Sequence, residues 1–409
     1  MEAEMSHVCP SVSYDQAIDL IADHASLADT EIVSLVDALE RISATEVRAK
    51  HADPGYDQSL RDGFVLGKSD SLSGNTSRSY RVMGEIPAGR CDLIEVGDGE
   101  AYRIMTGGLV PGGAERVVQQ EDCIQTGETV EIPGEVLTRS ARYIQREGSV
   151  IPRESGIAVR GTSLSPRDIG LLAITGNHQL EVYKKVSVSF FCTGSELVTI
   201  DAAEVPGQKT SSNRYLLDGL IRSNRAISVD WGMVLDCRKQ IRELMAEIVG
   251  SSTDVIISTG GVGPGKYDLL KTAFEQIGGK LIYHSIAMRP GQSTLFGVVA
   301  GKLYFGLPGP PSAVGMLFNE LVLPALRKMQ GLLVFSNRDM KAVLDHDISL
   351  EKWRCLCLRQ GVLFPRDQIN YVRQCRKGER SNCNILLEEG VGHYHKGELI
   401  SVHEYDQRS

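Results

Sequence analysis

The segment that decides the fold is DVIISTGGVGPGKYD, which occupies residues 254–268. Asp254–Ser258 is an apolar, β-branched run typical of a buried strand. Four glycines follow it, and a helical pattern then continues to Gly278-Gly279. A strand, a glycine-rich turn and a helix in this order predict one unit of a doubly wound α/β domain.

The same alternation extends to both sides of this segment. The runs that predict strands are Val186–Cys192, Ala226–Leu235 and Lys302–Phe305. The stretches with helical spacing are Asn213–Ile221, with Asn213 as its N-cap, Arg238–Val249 and Ser312–Met329. We therefore predict a doubly wound α/β domain over residues 181–330.

The rest of the chain predicts three further parts. Residues 13–47 show apolar side chains at helical spacing, first around Ala17 and again at Ile32, Leu35, Val36 and Leu39, which predicts two helices. Short β segments separated by glycine and proline predict an inserted β-rich domain over residues 50–152. Residues 1–49 and 153–180, with a helix at 166–175, are assigned to one discontinuous helical domain, and residues 331–409 to a small C-terminal β domain.

Composition narrows the class of protein. The chain has 409 residues, a net charge of -8 and no apolar run long enough to span a bilayer, so neither nucleic acid nor a membrane is an expected partner. Met1–Pro10 lacks the basic and apolar regions of a signal peptide. The nine cysteines are an odd number, scattered as free thiols would be, so we expect a cytoplasmic protein.

Three predicted strands deliver a carboxylate to the same edge of the sheet. They lead to Glu196, to Asp236 and, through the glycine loop, to Asp268. Each acid alone could be a solvated loop residue, but three at the carboxyl ends of parallel strands favour a ligand site. Oxygen ligands without nearby His or Cys favour Mg²⁺ over zinc, and we predict these three acids as metal ligands.

The glycine loop adds an anion site to this edge. Gly260, Gly261, Gly263 and Gly265 leave the backbone N–H groups open at the start of a helix, where a phosphate fits. The alternative is a tight turn that needs glycine only for its dihedral angles. Arg289 could supply positive charge to an oxyanion, or it could be a surface arginine.

Several motifs together resemble the molybdopterin molybdenumtransferases, the MoeA and gephyrin E-domain family. The similarity runs from about Tyr14 to Gly331 and fades towards the C-terminus. The motifs are Ser59–Phe64 (SLRDGF), Gly84–Gly89 (GEIPAG), Arg103–Gly108 (RIMTGG), Thr193–Leu197 (TGSEL), the glycine loop, Arg289–Gly291 (RPG) and Gly306–Gly309 (GLPG).

The resemblance implies a homodimer of four-domain subunits that acts on a pterin nucleotide. Adenylylated molybdopterin is expected to lose its adenylyl group as AMP with Mg²⁺, after which molybdate is inserted. Asp62 and Thr106 are expected to reach the site from the other subunit. Other proteins of molybdenum cofactor biosynthesis are expected partners.

The resemblance also implies which residues form the site. The expected catalytic residues are Asp62, Glu196, Asp236, Asp268 and Arg289. The expected residues for the pterin nucleotide and molybdate are Thr106, Gly107, Thr193, Gly194, Gly260, Gly261, Gly263, Gly265, Pro308, Gly309, Ser312, Arg354 and Ser381.

The chain departs from the family pattern mainly where molybdate would sit. Val150 stands where the family has an Asp, Gln292 replaces a second cation, and Pro310 replaces an Asn. Gly263-Pro264 and Lys266 also depart from the usual glycine loop. Two hypotheses follow: an active transferase, for molybdate or for tungstate, or a diverged, non-catalytic paralogue that binds the pterin nucleotide or a partner protein.

The C-terminal part carries paired Cys and His residues. Cys355 and Cys357 lie two apart, as do His393 and His395, so each pair faces one side of a strand. The spacing fits no standard zinc module, and buried cysteines packing as small apolar residues are favoured over a zinc or soft-metal site. The basic cluster around Arg373, Arg376, Lys377 and Arg380 is either a solvated loop or a docking surface for an acidic partner.

Overall fold

A computed structural model describes residues 11–67, 76–90, 92–140, 142–203, 205–262, 269–350 and 355–405. Helix α1 (Tyr14–His24) begins at Ser13, whose hydroxyl and backbone form a capping box with Gln16. Strands β1 (Thr30–Ser34) and β2 (Val47–Arg48) follow.

The predicted second helix after α1 is wrong. Ile32 lies in β1, which pairs antiparallel with the distant segment Gln179–Tyr183, and only a 3₁₀ turn, Val36–Ala38, follows. Ile32 and Val36 are 72% and 84% exposed, so the helical spacing does not mark a buried face. Pairing with a strand far along the chain overrides the local pattern here.

The next part is a six-stranded sheet in the order β7-β4-β6-β5-β9-β8. Strand β4, between β7 and β6, is buried along its whole length. The elements of this part are β3 (Gln58–Ser59), β4 (Gly63–Gly67), β5 (Arg78–Ile86), β6 (Glu100–Ile104), β7 (Ala114–Gln119), β8 (Ile124–Thr126), β9 (Thr129–Ile132), α2 (Gly134–Leu137) and β10 (Ile144–Gln145).

The chain then returns to its N-terminal segment. Strand β11 (Gly156–Ala158) pairs with β2, helix α3 (Pro166–Ile174) follows, and β12 (Gln179–Tyr183) pairs with β1. Leu164, Leu172 and Val182 pack with Ala38 and Val47 in one core. Residues before and after the β-rich part therefore share one hydrophobic cluster.

The α/β part is a six-stranded sheet in the order β16-β13-β17-β21-β20-β18. Strands β13, β16, β17 and β21 are parallel, and β20 and β18 add an antiparallel edge. The six strands are β13 (Ser187–Thr193), β16 (Ile227–Val234), β17 (Val255–Thr259), β18 (Lys280–Tyr283), β20 (Leu295–Val299) and β21 (Lys302–Leu307). Outside this sheet, β14 (Leu197–Val198) pairs with β15 (Lys209–Thr210), and β19 (Met288–Arg289) pairs with a strand of the C-terminal part. The helices are α4 (Ser212–Ser223), α5 (Arg238–Gly250), α6 (Leu269–Gln276), α7 (Pro311–Leu317) and α8 (Leu323–Met329), with a π-helical turn, Phe318–Val322, between the last two.

Both faces of this sheet are covered by helices. Val255 and Ile257 of β17 pack in the cluster that contains Leu217 of α4, whereas Ile256 packs in the cluster that contains Ile241 of α5. Alternate residues of one strand thus enter two hydrophobic layers, which explains the continuous apolar run.

The C-terminal part is a small closed barrel. Strand β24 pairs with both β25 and β26, and this double pairing closes the sheet. The strands are β22 (Asp339–Leu344), β23 (Ile348–Ser349), β24 (Leu356–Arg366), β25 (Ile369–Gln374), β26 (Cys383–Leu387), β27 (His393–Tyr394) and β28 (Leu399–Glu404). Together with the α/β part, the barrel confirms the predicted fold class. No helix that the structure describes has the length and apolar character needed to cross a membrane.

A buried polar cluster joins three parts of the chain. Glu320, in the π-helical turn, is 0% exposed and accepts hydrogen bonds from Tyr14 Oη (2.7 Å) and Asn384 Nδ2 (2.6 Å). It also contacts His403 Nδ1 at 2.7 Å and accepts a hydrogen bond from Asn337 Nδ2 at 3.1 Å. These five residues, the Glu320 cluster, link α1 and the α/β part to the barrel.

Candidate functional site

A cavity of about 760 Å³ opens at the carboxyl ends of β13 and β17. This is the edge at which open α/β sheets bind their ligands. Seven predicted site residues line it: Thr193, Gly194, Glu196, Asp236, Gly260, Gly261 and Gly309. We call it the acidic cavity because it contains Glu196 and Asp236.

The turn after β17 requires glycine for two reasons. Gly260 and Gly261 have φ values of +90° and +64°, which side chains rarely adopt. A Cβ at Gly260 would also lie 2.4 Å from Thr193 O, so the turn packs directly against the end of β13. Glycine is therefore required here for its dihedral angles, as the tight-turn alternative states, and also for the close approach of β13. The prediction that the N–H of Gly260 is open to a phosphate is wrong, because this N–H donates a hydrogen bond to Leu307 O at 3.0 Å. Gly263, Gly265 and Asp268 lie outside the described residues, and their roles stay predictions.

The two acids of the cavity come from neighbouring loops that are tied together. Asp236 Oδ2 accepts a hydrogen bond from Ser195 N at 3.2 Å, and Ser195 Oγ accepts one from Asp236 N at 3.3 Å. This reciprocal pair fixes the loop after β13 against the loop after β16. Glu196 and Asp236 are both exposed to the cavity, so their carboxylates are open to a cation.

Buried polar atoms at the cavity are unsatisfied within the described part of the chain. Thr193 Oγ1 and Asn213 Oδ1 have no hydrogen-bond partner there, although both residues are buried. Asn213 does not cap its helix as predicted, because α4 begins one residue earlier and Asn213 Nδ2 donates to Gly309 O at 2.8 Å. Buried polar atoms of proteins are rarely left unpaired, so these two oxygens mark contact points for a ligand or ion.

The donor set of the acidic cavity suits a hard cation. The described lining residues offer carboxylate, hydroxyl and backbone oxygens, and none of them is His or Cys. Mg²⁺ prefers such oxygen ligands. Lys209 also lines the cavity, because β15 pairs with β14 beside Glu196. Lys209 was not predicted from the sequence, since only the β14–β15 pairing reveals its position.

A second cavity of about 770 Å³ lies between the α/β part and the barrel. Arg289, Pro308 and Ser312, all predicted site residues, line this cavity and not the first one. The two cavities share Pro310, one of the residues that departs from the family pattern. The predicted site is thus divided between two adjoining spaces.

The second cavity is rich in cationic side chains, and we call it the cationic cavity. Its charged lining residues are Arg289, Arg359, Arg376, Lys377 and Glu379. Glu379 is paired with Arg373, and their hydrogen bond lowers the pKa of the glutamate to about 2. Arg376 and Lys377 belong to the basic cluster predicted to be either a solvated loop or a docking surface, and both residues line this cavity. Arg359 was missed because no local motif marks it.

Five other predicted residues lie elsewhere or outside the described residues. Asp62 Oδ1 accepts hydrogen bonds from the N–H and the hydroxyl of Thr106, each at 2.7 Å, and the N–H bond lowers the pKa of Asp62. Gly107 follows with a φ of +79°. Asp62, Thr106, Gly107 and also Ser381 are absent from the described linings of both cavities. Arg354 lies outside the described residues.

Two profiles of known protein families match this chain. Residues 189–328 match the profile of a probable molybdopterin binding domain, and residues 12–176 match the MoeA N-terminal region (domain I and II). These two matches place the chain among the proteins of molybdenum cofactor biosynthesis.

Two curated relatives identify the family to which the chain belongs. A molybdopterin molybdenumtransferase of Nostoc sp. is 35% identical over 77% of this chain and 72% of its own length. One of Staphylococcus aureus is 30% identical over 95% of this chain and 94% of its own length. The chain belongs to the molybdopterin molybdenumtransferase family, whose members are transferases, and the resemblance found in the sequence is confirmed.

Solved structures support the same fold. Two structures of the molybdopterin biosynthesis moeA protein of Pyrococcus horikoshii superpose with TM-scores of 0.83 and 0.76. Each is 24% identical and covers 97% of this chain and 100% of the other. The whole described chain therefore has the multidomain architecture of that protein.

Proposed function

We propose that this chain inserts molybdate into molybdopterin, as the name molybdopterin molybdenumtransferase of its relatives suggests, and that it first releases AMP from adenylylated molybdopterin. The observation that carries the proposal is the pair of adjoining cavities of opposite character. One offers a glycine turn with Glu196 and Asp236, and the other offers Arg289 and further cations. The shared Pro310 makes them neighbours, as successive steps on one substrate require.

The acidic cavity is the proposed place of AMP release. The backbone at Gly261 would contact the phosphates, since the N–H of Gly260 donates to Leu307 O. Glu196, Asp236 and Asp268 would hold Mg²⁺, whose charge would stabilise the charge that develops on the phosphate oxygens. Water attacks the adenylyl phosphorus, the bond from that phosphorus to the bridging oxygen breaks, and the pterin phosphate keeps this oxygen. Thr193 Oγ1 and Asn213 Oδ1 orient the substrate, which supplies the partners they otherwise lack.

The cationic cavity is the proposed place of molybdate. Molybdate is a dianion, and Arg289, Arg359, Arg376 and Lys377 provide the charge to attract it. Gln292 also lines this cavity, where it takes the place of a family cation. The remaining cations supply the charge that this replacement removes, which favours an active transferase over a paralogue that only binds the pterin nucleotide.

The proposed active unit is a homodimer. Asp62 and Thr106 are held together on the β-rich part yet line neither cavity among the described residues, so a second subunit is the expected way for them to reach the site. Other proteins of molybdenum cofactor biosynthesis are the proposed sources and acceptors of the pterin. The cytoplasm is the proposed compartment, consistent with the free thiols at the described cysteines.

The proposal is tested with single carboxamide variants of the acidic cavity. Asp236→Asn and Glu196→Gln should each slow Mg²⁺-dependent AMP release by about 100-fold, because each replaces a charged metal ligand by a neutral side chain of similar shape. Glu243→Gln is the matched control, since Glu243 is an exposed acid of the same α/β part. Rates for Asp236→Asn and Glu196→Gln equal to that of Glu243→Gln would contradict the proposal.

A further inference from the structure

The barrel carries a cluster of metal-ligating side chains that lies outside both cavities. Asp347, His393 and His395 each offer one ligand atom, and these atoms lie within 4.8 Å of one another. All three residues are exposed, and none of them belongs to the described linings of the acidic and cationic cavities. The cluster is therefore independent of the function proposed above.

The two histidines are presented together by a short strand. His393 belongs to β27 and His395 follows it, so both side chains lie on the outer face, with ring centroids 4.3 Å apart. Tyr394 between them packs in the barrel core, and its hydroxyl accepts a hydrogen bond from Glu388 N at 2.6 Å. The buried tyrosine thus anchors the two exposed imidazoles.

The carboxylate is brought to the histidines by strand pairing and by a backbone hydrogen bond. Asp347 precedes β23, which pairs antiparallel with β27 and buries Ile348 beside Tyr394. Asp347 Oδ1 accepts a hydrogen bond from Lys396 N at 2.7 Å, which holds the carboxylate next to His395. An acid 46 positions from His393 in the sequence therefore has a fixed place in the cluster.

One histidine is already oriented by a neighbouring side chain. Ser349 Oγ lies 2.9 Å from His393 Nδ1, which leaves the Nε2 atom of the same ring for a metal. Metal-binding histidines commonly have such a hydrogen bond on the second ring nitrogen, which fixes the ring and its tautomer. A tetrahedral ion needs its ligand atoms about 3.4 Å apart, and these atoms lie within 4.8 Å of one another, so the exposed side chains must close by at most about 1.4 Å.

We propose that Asp347, His393 and His395 form a binding site for one first-row transition ion, with Zn²⁺ as the best match. Two imidazoles and a carboxylate select a borderline ion such as zinc over Mg²⁺, which prefers an all-oxygen set. Three protein ligands at an exposed site leave the fourth tetrahedral position for water or for a group from another molecule. The thiols of Cys355, Cys357 and Cys383 are buried and take no part.

The test is a Zn²⁺ titration of the full, tag-free chain after removal of metals with a chelator. The wild type should bind one Zn²⁺ at this site, and His393→Gln, His395→Gln and Asp347→Asn should each weaken that binding at least tenfold. His178→Gln is the matched control, because His178 is an exposed histidine of another part of the chain. Unchanged melting temperatures in chelator would show that the variants fold.

A second readout identifies the ligands directly. Co²⁺ in place of Zn²⁺ should give the visible absorption of a tetrahedral site in the wild type and in His178→Gln. This absorption should be lost in a double variant that combines His393→Gln with His395→Gln. AMP release should be the same in all these variants. Absence of Zn²⁺ binding by the wild type, or binding that the three ligand variants leave unchanged, would overturn the proposal.

Discussion

Replacing Glu320 by glutamine removes the charge at the centre of the Glu320 cluster while keeping the shape of the side chain. The carboxylate is 0% exposed, and Tyr14, Asn384 and Asn337 donate hydrogen bonds to it. A glutamine has one acceptor oxygen where the carboxylate has two, so its NH₂ group must face one of these donors. The change therefore weakens the links from the π-helical turn to both α1 and the barrel.

The expected loss is about 3 kcal/mol, the lower end of what breaking a buried charged cluster costs. Burial alone would raise the pKa of Glu320, but hydrogen bonds from His403, Asn384 and Tyr14 outweigh burial and lower it. A carboxyl with a lowered folded pKa stabilises the protein above its unfolded pKa of about 4.3. The difference between wild type and variant should be largest at neutral pH, and it should shrink as the pH falls below 4.3 towards the folded pKa.

Hydrogen exchange of β26 and β28 measures this effect locally, which avoids assuming one transition for a multidomain chain. A loss of about 3 kcal/mol corresponds to exchange about 100-fold faster in these strands at neutral pH. The matched control is Glu404→Gln, an exposed acid at the end of β28. Exchange in Glu320→Gln that is less than tenfold faster, or no faster than in the control, would refute the reasoning.

Three further predictions concern the site. Gly260→Ala should abolish substrate binding in equilibrium dialysis. The control Gly207→Ala should bind substrate as the wild type does, because Gly207 has a similar φ of +92° but a Cβ added there would have nothing within 4 Å. Equal binding by the two variants would contradict the packing argument. Mixing inactive Asp62→Asn and Asp236→Asn chains should restore about a quarter of wild-type AMP release. Half of the randomly formed dimers contain one chain of each kind, and in these dimers one of the two shared sites has both aspartates. No recovery of AMP release would exclude a site shared between subunits. Gln292→Lys should lower the KM for molybdate about fivefold by adding a charge to the cationic cavity, and an unchanged or higher KM would count against molybdate binding there.

Local patterns predicted the parts of the fold that local interactions determine. The apolar run Val186–Cys192 and the glycine turn at Gly260 mark a buried strand and a β-to-α turn, and the structure has both. The segment around Ile32 was predicted as a helix from the helical spacing of its apolar residues. The prediction failed because the strand with which it pairs, Gln179–Tyr183, lies about 150 positions away. Strand pairing over such distances leaves no trace in local periodicity.

The site shows the same division between local and distant information. Glu196 and Asp236 were predicted because both follow strands that end at one sheet edge. The division into two cavities was not predicted, because it depends on how the barrel packs beside Arg289 and brings Arg359 to it. Asp347 was missed for the same reason, since only the pairing of β23 with β27 brings it to the histidines.

The central claim is that the acidic cavity releases AMP with the help of a divalent cation. A single-turnover reaction of the purified protein with adenylylated molybdopterin and molybdate, followed by quantification of AMP, tests this claim most directly. We expect about one AMP per bound nucleotide when Mg²⁺ is present and almost none after chelation. Nucleotide that stays bound and intact in the presence of Mg²⁺ and molybdate would contradict the claim.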